Sequence, residues 1–325
     1  PVLPRNYKFK EFNIVAGHVI AQDYGQKLFY FSCESDSPLE LVCEKQYEIN
    51  REDDSEYLQR GVFSHHGVVF AWTKAKDHTG AYFFSKSQGY KRFRVEGSVT
   101  SAVMSHDGAG TLLAVFAVED RVLVYRINPH DHSEWTLTDT ITREEVGAEA
   151  FCPVEIKTDV FEPHDFHVLS YCPEQKDQRI FKFCLKSDLS RRGSVAIKLS
   201  TLAPDFCPLG GEYIIWGRGD RSEVYGVNEK EDIARYSIPL DDFRLDNVIS
   251  IQCNSQIGQF TVVSEGPSPG TQVVGVFNGN RQTRAQLRLE HFIPDITASR
   301  IESFESIHGI LHVFYDKDGK TSYLQ

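Results

Sequence analysis

Residues 98–128 read SVTSAVMSHDGAGTLLAVFAVEDRVLVYRIN. The stretch divides into three β-like runs and two tight turns. Residues 99–104 form the first run, and Ser105-His106-Asp107-Gly108 turns the chain. Residues 112–118 are apolar without a break. Glu119-Asp120 makes a second turn, and 122–127 alternate apolar and polar. An unbroken apolar run of this length, bounded by turn residues, suits a strand buried on both faces. Alternation suits a strand with one solvated face.

The same unit recurs along the chain. Its order is a strand, a polar or glycine turn, a strongly apolar strand, a turn and a third strand. It is found at 9–16, 18–22 and 27–31, at 58–63, 68–72 and 81–84, and at 154–159, 167–171 and 179–183. It returns at 202–207, 213–216 and 222–227, at 248–253, 260–264 and 271–277, and at 301–307, 310–315 and 321–324. The first turns centre on positions 17, 67, 108, 165, 211, 258 and 309, spaced 41 to 57 residues apart. Six units carry a fourth, more polar run, at 39–45, 92–95, 135–140, 195–199, 233–238 and 285–289. No window of a dozen residues keeps a helical period.

Four strands per unit, repeated seven times, predict an all-β fold: a seven-bladed β-propeller with four-stranded antiparallel blades. The second strand of a blade lies between its neighbours, which explains its apolar faces. The fourth lies at the rim and is polar. The seventh unit has too few residues for a fourth strand, so the N-terminal run 2–8 is expected to complete it. An uncompleted edge would be open to pairing with another chain. Length alone would allow two domains, but closed β architectures of this size run as one, so residues 1–325 are read as a single domain.

Ser105-His106-Asp107-Gly108, Leu112-Leu113-Ala114 and Asp120-Arg121-Val122-Leu123-Val124-Tyr125 together resemble one blade of a WD-repeat protein. An aspartate at the turn before the third strand is typical of that family. The Trp-Asp dipeptide is missing, and Tyr125-Arg126 stands where it would be. The chain as a whole thus resembles a divergent WD-repeat-like β-propeller. That resemblance implies a scaffold that binds partners through the mouth of the central channel and the loops around it.

Composition narrows the partners. The net charge is -11, so a global basic face for nucleic acid is not expected. Lys91-Arg92-Phe93-Arg94 and Arg191-Arg192 are short and read as solvated positions. The seven cysteines are widely spaced with no CxxC pair, which argues against a disulfide framework or a structural zinc site. No sequon and no apolar run near membrane-spanning length occur, so an intracellular setting, cytoplasmic or nuclear, without membrane insertion is expected.

Candidate chemistry is thin. His130-x-His132 lacks a third fixed ligand and reads as a solvated turn. His65-His66, His106-Asp107 and His164-Asp165 share the first turn of three units, where such residues bond their own backbone. Arg218-Gly219-Asp220 reads as a hairpin turn, and the acidic run 51–56 as a linker. No nucleophile elbow, P-loop, dinucleotide fingerprint or calcium loop is present.

Function is therefore expected in a surface. Trp72 and Trp216 end second strands, and Arg60, Arg218 and Arg221 fall near the same mouth. Tryptophan and arginine dominate interface hot spots, so these five form the candidate partner-binding set. The expected role is a non-enzymatic scaffold or adaptor for a protein or peptide, a subunit of a larger assembly, with no cofactor. The alternative is a metal-dependent propeller hydrolase or lactonase with an axial site. Its inner-strand side chains would be Glu11, Asn13, Glu155 and Gln252.

Overall fold

The structure is a computed structural model. It describes residues 9–15, 18–23, 28–32, 47–49, 57–58, 63–65, 68–85, 89–106, 111–128, 130–131, 134–147, 151–159, 161, 165–172, 177–185, 191–199, 206–209, 212–216, 224–228, 233–235, 248–253, 259–279, 287–297, 300–305, 311–317 and 320–324. These residues form antiparallel sheets and a single helical turn.

The first sheet holds β1 (Phe9–Val15), β2 (His18–Asp23), β3 (Leu28–Ser32) and β4 (Tyr47–Ile49), paired in chain order. The second holds β5 (Tyr57–Leu58), β6 (Phe63–His65), β7 (Val68–Lys74), β8 (His78–Ser85) and β9 (Gly89–Glu96). Here β5 and β6 both pair with β7. The third is β10 (Val99–His106), β11 (Leu112–Val118), β12 (Arg121–Ile127) and β13 (Trp135–Ile141). The turn α1 (Arg143–Val146) follows it. The fourth is β14 (Pro153–Thr158), β15 (Asp165–Cys172), β16 (Asp177–Leu185) and β17 (Arg191–Leu199). The fifth is β18 (Phe206–Leu209), β19 (Glu212–Trp216), β20 (Val224–Asn228) and β21 (Ile233–Arg235). The sixth is β22 (Val248–Cys253), β23 (Gln259–Glu265), β24 (Thr271–Gly279) and β25 (Leu287–Thr297). The seventh is three-stranded: β26 (Arg300–Glu305), β27 (Leu311–Lys317) and β28 (Lys320–Leu324).

Each sheet is a meander, as the alternation of strand and short turn dictates. The expected strands recur with small shifts at their ends. Three places need comment. Of the expected first strand of the second unit, 58–63, Leu58 and Phe63 are described, in β5 and β6, which each pair with β7, while 59–62 lie outside the described residues. The fourth strand of the first sheet is Tyr47–Ile49, while the expected run 39–45 lies outside the described residues. β25 reaches Thr297, well past the expected 285–289, because two register shifts let it follow β24 to its beginning. The N-terminal run 2–8, expected to complete the seventh sheet, also lies outside the described residues.

The sheets gather into two compact units. One holds the first, second and seventh sheets, and the other the third to sixth. Within the first unit β1 lies beside β26, and β2 beside β5. Within the second, β14 lies beside β11 and β18, and β18 beside β22. First strands adjoin at β1 and β26, at β14 and β18, and at β18 and β22, while β5 and β14 also lie beside the second strands β2 and β11.

Burial follows the sequence pattern. Every residue of β11 is buried, whereas β12 alternates. In three sheets a phenylalanine pair sits directly opposite across the second and third strands. These are Phe70 with Phe83, Phe166 with Phe183, and Phe260 with Phe277, at ring-centroid distances of 5.1, 5.3 and 5.6 Å. Such pairs add about 0.5–1.5 kcal/mol each beyond the area they bury. The two-residue hairpin between β11 and β12 places Glu119 at φ 43°, the left-handed region that such turns require.

Candidate functional site

In an antiparallel meander, the start of strand one, the end of strand two, the start of strand three and the end of strand four share one edge. This leading edge is where the expected partner-binding residues fall in the sequence. Trp216 ends β19, opposite Val224. Arg60, Arg218 and Arg221 lie outside the described residues.

Trp72 requires a correction. It is only 2% exposed and cannot present itself to a partner. The reason is strand length: β7 runs on to Lys74, so Trp72 sits inside the strand, opposite Ala81. Among the described residues its buried Nε1 has no hydrogen-bond partner.

Other residues on the leading edges are exposed and apolar. Val154 is 38% exposed and Ile249 is 40% exposed. Each is the second residue of the first strand in its sheet, and each falls at a register shift. Pro153 pairs with Ser170 and Glu155 with Leu169, which leaves Val154 over. Val248 pairs with Ser264 and Ser250 with Val263, which leaves Ile249 over. These are β-bulges, one residue too many against the partner strand, and a bulge re-aims a side chain out of the ladder. In the other unit β1 has the same shift at Lys10, between Phe9 and Glu11. There Tyr57, at the start of β5, is 41% exposed.

Beneath the leading edge of the second unit the first strands are joined by polar groups. Ser101 on β10 donates to Glu155 Oε1 at 3.0 Å and accepts from the Ile156 amide at 3.1 Å. Thr100 Oγ1 donates to the Pro153 carbonyl at 3.1 Å. Lys157 on β14 passes over the Phe206 ring, with Nζ 5.7 Å from its centroid, and donates to the Ile251 carbonyl on β22. One lysine side chain thus spans three first strands. Glu155, an expected axial residue of the hydrolase alternative, is engaged by Ser101.

In the same unit lies a buried polar network that no sequence motif marks. His167 on β15 is fully buried. Its Nδ1 lies 2.9 Å from the Tyr213 hydroxyl on β19, and its Nε2 lies 3.6 Å from Asp159 Oδ2. The Tyr213 O–H donates to Nδ1, which puts the ring proton on Nε2, where the carboxylate lies too far for a hydrogen bond. Lys182 lies opposite His167 in the ladder and reaches Asp165 at 3.4 Å. Burial, and after it the Lys182 ammonium, push the His167 pKa from 6.5 down to about 3. The Asp159 carboxylate pulls the other way, but at a distance too long for a good hydrogen bond it does not offset burial. His167 is therefore neutral near pH 7. A histidine inside an apolar second strand, Phe166-His167-Val168-Leu169, was the available sequence signal. Its partner Tyr213 comes from another sheet, which strand patterning does not reveal.

Among the described residues no three His, Cys, Asp or Glu side chains are grouped to hold a metal ion. No described helix is long and apolar enough to cross a membrane.

The described residues define an architecture of antiparallel meander sheets. The sequence matches no protein-family model and no curated protein. Solved structures share the fold. Hydrazine synthase of Kuenenia stuttgartiensis aligns with a TM-score of 0.59 at 7% identity, covering 98% of this chain and 96% of that one. The WD40 domain of SCAP from fission yeast gives 0.54 at 8% identity, covering 98% and 82%. BBS1N, crystallised in complex with ARL6DN, gives 0.52 at 10% identity, covering 94% and 84%. At these identities the likeness is one of fold.

Proposed function

We propose that this protein is a non-enzymatic interaction scaffold or adaptor: a seven-bladed propeller that binds a protein or peptide through its loops, as an intracellular subunit of a larger assembly. The observation that carries the reading is the repeated meander, which sets a row of turns on one edge of each sheet. The WD40 likeness and a neighbour crystallised with a protein partner support it. Trp216, Arg218, Arg221 and Arg60 remain candidate contacts, without Trp72.

The test is an affinity pull-down from a cell extract with the intact protein, beside a metal analysis and an esterase assay. Stoichiometric recovery of a partner is the expected result. No partner, together with a bound metal and turnover of small esters, would establish the hydrolase alternative.

A further inference from the structure

We propose that the leading edge of the second unit, centred on Val154 and Ile249, is a docking surface for an extended segment of a partner protein. That segment carries apolar side chains flanked by lysine or arginine. The proposal rests on the scaffold reading and gives it a surface and a partner chemistry.

Three observations lead to it. First, the exposure is built by the backbone. Val154 and Ile249 occupy the same place in two sheets, and each is extruded by a bulge. Bulges concentrate where a strand must re-aim a side chain. Single exposed apolar residues need no explanation, but two at the same bulged position of two first strands, in one unit, are a repeated device.

Second, the surface is held in place. Two residues beyond Ile249, the Ile251 carbonyl accepts from Lys157, which stands three residues beyond Val154. Pro153, immediately before Val154, is tied to Thr100, and Glu155, immediately after it, to Ser101. On the same edge of the sixth sheet, the turn from Gly266 to Gly270 is closed by Thr271. Its Oγ1 donates to the Ser268 carbonyl at 2.7 Å, and its carbonyl accepts from the Gly266 amide at 2.8 Å. A Cβ on Gly266 would lie 2.1 Å from Thr271 Oγ1, so this turn admits only glycine there. A preorganised edge loses little entropy on binding.

Third, among the described residues the charge on the turns of this edge has one sign in excess, and in the sequence between β19 and β20 Arg218 and Arg221 are matched by Asp220 and Glu223. Glu119, Asp120, Glu144, Glu145 and Glu265 are exposed on the turns there, against Arg121 and Arg143. Both arginines face acids of their own turns: Arg121 Nε lies 3.0 Å from Asp120, and Arg143 lies 3.8 Å from Glu144. An apolar centre with an acidic rim complements an apolar segment with basic flanks.

The intact protein is panned against a random dodecapeptide phage library, and the most enriched peptide is synthesised. The expected peptide combines apolar residues with lysine or arginine. Its affinity is expected to fall at least tenfold in Val154→Asp and in Ile249→Asp. Val154→Ser and Ile249→Ser serve the same comparison should the aspartates disturb the fold, which thermal melts report. No enrichment, acidic peptides, or unchanged affinity in folded variants would overturn the proposal. The same variants are run in the extract pull-down. A partner retained equally by wild type and variants leaves the scaffold reading standing and removes this surface. No partner for the wild type removes the reading itself.

Discussion

At the scale of single residues, His167 ties folding to pH. The groups facing it are Asp159, Tyr213 and Lys182, and its folded pKa is about 3 against an ordinary 6.5. The unfolded chain therefore takes up a proton near pH 6.5, while the folded chain does so only near pH 3. Stability linked to this ring is fully present above pH 6.5 and is lost as pH falls from there. The slope is about 1.4 kcal/mol per pH unit for one proton. Urea unfolding of the wild type should weaken steadily between about pH 6.5 and 4.5. His167→Gln, less stable at pH 7, should show a shallower decline. Parallel declines in the two proteins would assign the acid sensitivity to another group.

At the scale of elements, the cross-strand phenylalanine pairs anchor second strands to third strands. Phe260 is fully buried and stacks on Phe277 with ring planes 19° apart. Phe260→Ala leaves a ring-sized void in a close-packed sheet, so about 3–5 kcal/mol of stability should be lost. A denaturant titration measures this, and a loss under about 1 kcal/mol would show that the sheet can collapse into the space. The strand pattern that locates these pairs was legible in the sequence. β11 occupies 112–118 as expected, because turn residues and an unbroken apolar run mark both ends. The bulges at Val154 and Ile249 were not legible. A bulge is a property of pairing between two strands, and hydrophobic alternation within one strand does not report it. Trp72 was misplaced for a related reason. The polar Thr73-Lys74 that follows it looks like a turn, yet Thr73 is buried and still pairs with Gly80. The His167–Tyr213 contact joins strands of different sheets, β15 and β19, and strand patterning carries no register between sheets.

At the scale of the molecule, the recurrence of first turns 41 to 57 residues apart was enough to find the sheets, but not how they gather into two compact units. Net charge acts at this scale too. The chain carries -11, and the described turns on the leading edge of the second unit share that excess. A basic partner would be drawn in by the field before any contact forms, which makes association faster. Between 0.1 and 1 M salt the screening length falls from about 10 to about 3 Å, shorter than the approach over which steering acts. The association rate of the recovered partner should therefore drop about tenfold or more over that range. The dissociation rate should change far less, because short-range apolar contacts at Val154 and Ile249 are not screened. Stopped-flow mixing at a series of salt concentrations separates the two. An association rate that stays flat would place the partner's contact away from the acidic rim. A salt-sensitive association rate with a dissociation rate unchanged in Val154→Ser would mean that steering and docking use different surfaces.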